Sequence, residues 1–180
     1  AQPLANATAS VTAFHNWYDD IRTTELTNGG LPIQLRNGIR GRSWGLEAWG
    51  TVQLTESWRV SLGGTRLWKD FEVKPGRSDL ANLAALGDDP KWQIKAGTQI
   101  DVGGDVQLTL NARWIGAIVT APRIPSHVEA SGRLAWAATD RIELFVAGRN
   151  LLQATHLESN DLNQGQRPQR SIVAGSRLRF

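Results

Sequence analysis

The sequence predicts an all-β fold: a segment of an antiparallel transmembrane β-barrel, about eight strands in meander order, with short periplasmic turns and long extracellular loops. Three observations predict it. Polarity alternates with period two along nearly the whole chain. Most of the alternating runs are 11–16 residues long, whereas soluble strands average about 5–6 and tilted membrane strands need about 9–11. Tight and long connections alternate, which puts every long loop at one end of the strands, as in bacterial outer-membrane barrels. A β-sandwich has no reason to sort its loops in that way.

In chain order the strands are expected over residues 8–22, 40–54, 58–73, 91–102, 105–118, 127–138, 141–156 and 170–180. The fourth alternates most cleanly. Trp92, Ile94, Ala96, Thr98, Ile100 and Val102 share one face; Lys91, Gln93, Lys95, Gly97, Gln99 and Asp101 share the other. The fifth repeats the pattern, with Val106, Leu108, Leu110, Ala112, Trp114 and Ile118 on its apolar face. Tight turns are expected at Thr55-Glu56-Ser57, Gly103-Gly104 and Thr139-Asp140, the Gly-Gly pair being a hairpin signal. Long connections are expected over 23–39, 74–90, 119–126 and 157–169, the second with a short helical stretch at 79–86. Gly38, Gly41, Gly45 and Gly50 fall in one strand region and read as bends or close packing.

Composition excludes several alternatives. The longest unbroken apolar run, residues 114–119, has six residues, against the roughly 18–20 of a membrane-spanning helix. With no Cys there is no disulfide scaffold, thiolate zinc site or cysteine nucleophile. The lack of Met is expected of a processed or excised segment. The net charge of +3 is small and its basic residues are dispersed, so nucleic acid is not an expected partner. No nucleophile elbow, P-loop or dinucleotide fingerprint occurs, and Ser126 and His127 are adjacent strand residues pointing to opposite faces, so no enzyme activity is expected.

Eight Trp against one Tyr is the unusual part of the composition. On the apolar faces Trp58 and Trp136 adjoin tight turns, while Trp68, Trp92 and Trp114 lie toward long loops. Two belts of amphipathic rings, one at each strand end, match the two interfaces of a membrane. The opposite face carries Glu47, Lys95, Asp101, Arg113, Glu129, Arg133, Glu143 and Arg149. Such a set is costly in a dry core and natural in a wet lumen. Three residues break the pattern. Arg66 falls on the apolar face, where it is expected to snorkel to the interface. Phe145 and Val173 fall on the polar face and are expected to touch a plug or loop.

Several motifs together resemble the C-terminal barrel of TonB-dependent outer-membrane receptors. Gly148-Arg149-Asn150-Leu151-Leu152, followed by His156-Leu157-Glu158, is similar to the family's penultimate strand. Pro168-Gln169-Arg170-Ser171, Gly175 and terminal Phe180 resemble its last strand. Gly45-Leu46-Glu47, the run Trp136 to Glu143, and Phe14, Asn16, Tyr18 and Asp20 resemble earlier ones. The resemblance implies a 22-stranded barrel enclosing a plug, of which these would be the last eight strands, without the plug. It implies energised uptake of a scarce solute such as a metal-siderophore, cobalamin or carbohydrate. Its implied partners are membrane lipid and lipopolysaccharide, the rest of the barrel and plug, the TonB complex acting through the plug, and the outer-membrane assembly machinery. The implied location is the outer membrane of a Gram-negative bacterium, and no cofactor is implied. Phe180, with Leu178 and Ile172 on its face, resembles the assembly signal. Arg123, His127 and His156 are candidate outer contacts to a solute by position alone; each His has a Glu two residues on, on the same face. The alternative is a complete eight-stranded barrel acting as anchor or adhesin, in which the first and last strands pair. A lone open sheet leaves backbone groups facing lipid, so the segment by itself is not expected to fold stably in a bilayer.

Overall fold

The computed structural model describes residues 5–27, 30–87, 89–120, 123–155 and 168–180. They form one antiparallel sheet of eight strands in the order β1-β2-β3-β4-β5-β6-β7-β8, every neighbour in space being a neighbour in sequence. The strands are β1 (Ala7–Thr27), β2 (Gly30–Thr55), β3 (Trp58–Val73), β4 (Trp92–Gly103), β5 (Val106–Ile115), β6 (His127–Thr139), β7 (Ile142–Arg149) and β8 (Ser171–Leu178). A single helical turn, α1 (Asn82–Ala85), sits in the β3–β4 connection, within the expected stretch. The sheet is not closed: among the described residues β1 pairs only with β2 and β8 only with β7. The first-to-last pairing required of a complete eight-stranded barrel is therefore not formed.

Register turns period two into two opposed surfaces. One ladder row runs Ala7–Val52–Val60–Thr98–Leu110–Gly132–Gly148–Ile172 across all eight strands and contains no charge. The adjacent row, on the other face, runs Thr8–Thr51–Ser61–Gly97–Asn111–Ser131 and is entirely small or polar. Because each residue pairs with one of equal parity class, one face stays apolar across the sheet. Val11, Leu46, Leu62, Ile94, Leu134, Val146 and Ile172 all stand exposed on it. Buried apolar residues among those described are few: Ala7, Ile39, Ile118, Ile124 and Ala135. An apolar surface this continuous requires a nonaqueous neighbour.

The tight turns are two-residue hairpins. The β4–β5 ladder closes at Gly103↔Val106, so the central pair is Gly104-Asp105, one residue later than the sequence suggests. Both carry positive φ, 57° and 61°, as a type I′ turn demands. The β6–β7 ladder closes at Thr139↔Ile142, and the Thr139 hydroxyl accepts from the Arg141 and Ile142 amides at 3.2 and 3.0 Å.

Two expectations are corrected. Residues 23–39 are not a long loop: β1 continues to Thr27 and β2 begins at Gly30. This hairpin extends past the level of Trp68, and its sequence lacks the clean alternation of the other strands. The seventh strand ends at Arg149, not at 156. Asn150 adopts φ 53°, a left-handed conformation that Asn tolerates and that breaks strand geometry. Its side-chain amide donates to the Pro168 carbonyl at 3.0 Å, while the Leu151 amide bonds Ala130 O at 2.9 Å. The Gly-x-Asn-Leu run is thus a strand terminator that ties β7 to its neighbours.

Candidate functional site

The inner wall is the concave polar face. It encloses a concavity of about 790 Å³ bordered by Trp49, Lys95, Asn111, Arg113, Glu129 and Arg149. Neighbouring strands bring opposite charges opposite each other. Arg113 and Glu129 are ladder partners and form a fork, with three N–H···O contacts of 2.8–3.0 Å. Arg133 bonds Glu143 at 2.5 Å, and Arg177 and Arg179 approach the same carboxylate at 3.9 and 3.7 Å. Gln107 donates to Asp101 at 3.0 Å. These contacts explain why so many charges are tolerated on one face: they meet each other or water.

The same face carries aromatic rings seated on glycines. Phe14 faces Gly45, Phe71 faces Gly41 and Phe145 faces Gly175 across the ladder. A Cβ on Gly175 would lie 2.8 Å from Phe145 Cζ. Glycine is needed there because the ring already occupies the space. Phe145 also lies 4.7 Å beneath the Arg133 guanidinium. Its place on the polar face therefore has a local cause, the cover of Gly175 and the support of Arg133.

The outer end is capped. The β1–β2 hairpin is fastened to the β3–β4 connection by backbone and carboxylate bonds. Leu80 N–H donates to Thr24 O at 3.0 Å, and Asp79 accepts from the amides of Thr24 at 3.2 Å and Leu83 at 2.8 Å and from Asn82 Nδ2 at 2.8 Å. Thr23 and Ile39 are fully buried beneath this seam, at 0% exposure. Glu25, 8% exposed, accepts from Thr23 Oγ1 at 2.7 Å and faces Arg77 at 3.8 Å. Lys74 bridges Asp19 and Asp20 at 3.3 and 2.8 Å; its hydrogen bond to Asp20 raises its pKa against a smaller desolvation.

Burial alone would raise the Asp79 pKa, but the hydrogen bonds from Leu83, Asn82 and Thr24 together outweigh it and hold the carboxyl below its ordinary value. A depressed folded-state pKa contributes stability that is present above the unfolded value and lost as pH falls through the folded one. Protection of the Leu83 and Thr24 amides, relative to the intrinsic exchange rate at each pH, is therefore expected to fall on acidification below the ordinary carboxylate range, while that of amides in the β4–β5 ladder holds. In Asp79→Asn that protection should be low at every pH. Equal acid response in wild type and variant would show that Asp79 does not fasten the cap.

The candidate residues separate by position. Trp68, Trp92 and Trp114 lie toward the long-loop end of the outward face, and Trp58 and Trp136 toward the tight-turn end, Trp58 donating to Thr98 Oγ1 at 2.8 Å. Trp44 joins the upper group: it pairs with Trp68 in the ladder and stacks on it, centroids 6.4 Å apart and 3° between planes. Its parity with Leu46 and Ala48 was the available sequence signal. Ile172 and Leu178 project from β8 on the face of Phe180. Arg123 is exposed in the β5–β6 connection. His127, 9% exposed, sits at the start of β6 with Nδ1 3.3 Å from Pro125 O and Nε2 3.6 Å from Glu129. The Glu129 carboxylate is shared with Arg113. His156 and Glu158 lie outside the described residues. Among the described residues no group of three or more His, Asp or Glu is placed to hold a metal ion.

No protein-family model and no curated protein sequence matches the chain. Solved structures do. The siderophore receptor PiuA of Acinetobacter baumannii superposes over 96% of this chain with TM-score 0.75 at 14% identity. The ferric yersiniabactin uptake receptor FyuA of Yersinia pestis covers 98% with TM-score 0.74 at 16% identity. The FrpB iron transporter of Neisseria meningitidis covers 98% with TM-score 0.77 at 10% identity. The chain spans only 26%, 28% and 29% of those three proteins respectively. Its eight-stranded meander, with one apolar and one charged face, has the fold of a stretch of barrel wall from the TonB-dependent outer-membrane receptors.

Proposed function

We propose that this chain is a wall and outer-loop segment of an outer-membrane active transporter that takes up a scarce solute. One observation carries the reading: an eight-stranded sheet with one predominantly apolar face, a charged concave face and two edge strands unpaired among the described residues. Unpaired edges cannot face hydrocarbon, so further strands must continue the wall. The inner wall would then surround a plug, and the TonB complex would act on that plug to release bound solute into the lumen. The capped outer loops, with Arg123, His127 and His156 as candidate contacts, would present the first surface a solute meets. On this reading Phe180, Leu178 and Ile172 form the signal read by the assembly machinery, and the two Trp belts mark the interfaces with lipid and lipopolysaccharide. The reading makes the protein a transporter and not an enzyme.

The absence of native Cys allows a background-free test. Ser78→Cys, in the β3–β4 connection, should react with a membrane-impermeant maleimide on intact cells. Glu56→Cys, in the β2–β3 turn, should react only after permeabilisation. Deleting the gene should abolish protonophore-sensitive uptake of one of radiolabelled ferric siderophore, cobalamin, copper or maltodextrin. Correct labelling with unchanged uptake of all four would instead support an anchor or adhesin.

A further inference from the structure

We propose that Arg66, with Trp68 and Trp92, forms a docking site on the outer wall for the phosphate of an outer-leaflet lipid. The proposal rests on the outer-membrane reading above. Arg66 occupies the apolar face of β3, in the ladder between Leu46 and Trp92. Its guanidinium carbon lies 4.5 Å from the centroid of Trp68 and 4.4 Å from that of Trp92. Trp68 stacks in turn on Trp44, so an aromatic wall crosses β2, β3 and β4 at this height.

A second outer-face arginine supplies the contrast. Arg42 lies 5.3 Å from the Trp44 centroid, but its charge is answered by Asp70 at 3.0 Å. Arg40, further out, is answered by Glu72 at 2.6 Å. Among the described residues Arg66 has no carboxylate within ion-pair distance, and its guanidinium lies over the two indoles. Cation–π contact orients a guanidinium through its faces and leaves its N–H edge available. An interface Trp belt lies at headgroup depth. The missing counter-anion is thus expected from the lipid, and a phosphate matches the planar fork of donors. The carboxylates Asp70 and Glu72 are each committed to an arginine, so they do not repel it strongly.

The test uses full-length protein extracted from outer membranes, with lipid adducts counted by native mass spectrometry. The probes are lipid A with its phosphates, dephosphorylated lipid A, and inorganic phosphate. Wild type should retain phosphorylated lipid A about tenfold better than Arg66→Gln, the loss expected of one charge-assisted contact. Arg66→Lys, which keeps the charge but not the fork, should fall between them. Trp92→Leu should also weaken retention. Dephosphorylated lipid A should bind wild type and Arg66→Gln equally weakly. Equal retention by wild type and Arg66→Gln would overturn the site, as would retention independent of the phosphates. Competition by inorganic phosphate as strong as that by lipid A would overturn the lipid as occupant. Maleimide labelling of Ser78→Cys on the same cells separates the two ideas. If it is not reached from outside, the outer-membrane reading fails and the site with it. If it is reached and Arg66→Gln binds like wild type, only the site fails.

Discussion

Leu110→Arg is expected to destabilise the protein in a bilayer by about 2–4 kcal/mol, the cost of a cation on the lipid face of a barrel at the midplane. Leu110 lies four residues from Trp114, in the proposed upper belt, and four from Val106, whose ladder partner is Trp136 in the proposed lower belt. The eight residues between those levels span about 27 Å of strand, or about 20 Å along the membrane normal after a tilt of roughly 40°. That places Leu110 near the middle of the apolar band. Two companions make the experiment decisive. Val106→Arg, at the lower interface, should cost only about 0–1 kcal/mol. Asn111→Glu, one residue along on the inner wall, should stay within about 0.5 kcal/mol. Leu110 is 43% exposed, so on a water-facing sheet Leu110→Arg would be equally mild. Denaturant titration of the full-length protein refolded in phospholipid vesicles separates the cases. Costs near zero for both arginine variants would mean that this face does not contact hydrocarbon.

What the sequence discloses follows from where lipid enforces a pattern. On the proposed reading, each strand must alternate between the belts, since the outward positions would meet hydrocarbon and the inward ones water. Residues 91–102 therefore read correctly to within a residue at each end, and α1 falls inside the expected 79–86. Above the belt that constraint lapses. Thr23, Glu25 and Ile39 are buried in a hairpin that is tied to a connection from elsewhere in the chain through Leu80, Asp79 and Arg77, a nonlocal event with no periodic trace. Hence 23–39 read as loop although it is ladder. Asn150 is a different failure: period two continues beyond it in the sequence, and only its left-handed backbone ends the strand. The charged inner face was legible residue by residue, but the pairing of Arg113 with Glu129 and of Arg133 with Glu143 needed the register. His127 shows the limit of reasoning by position. It begins β6 beside the long β5–β6 connection, and its ring turns toward Pro125 and Glu129 and is buried.

The aromatic–glycine contacts yield the second large effect. Gly41→Ala is expected to cost about 1–3 kcal/mol, the range for forcing extra atoms into a packed site. A Cβ at Gly41 would overlap the Asp70 carbonyl oxygen and lie 2.5 Å from Phe71 Cδ1 and 2.7 Å from Phe71 Cα. Tyr18 closes the site from β1, its ring centroid 5.6 Å from that of Phe71. A ring can rotate, but the Asp70 carbonyl and Phe71 Cα belong to the ladder that pairs Gly41 with Phe71 and Arg42 with Asp70. Relief must therefore come from spreading β2 from β3. Gly64→Ala, whose nearest contact would be Gln93 O at 3.5 Å, should be neutral or stabilising by up to about 1 kcal/mol, because alanine lowers the entropy of the unfolded chain. The double variant Gly41→Ala with Phe71→Ala distinguishes ring from backbone. Removing the ring relieves the Phe71 Cδ1 contact and leaves the two with backbone atoms, so the double variant should recover only part of the loss assigned to Gly41→Ala, after the separate cost of Phe71→Ala is subtracted. Full recovery in that cycle would make the clash one of side chains alone. No loss in Gly41→Ala would mean that β2 and β3 stand further apart at this level than the ladder requires.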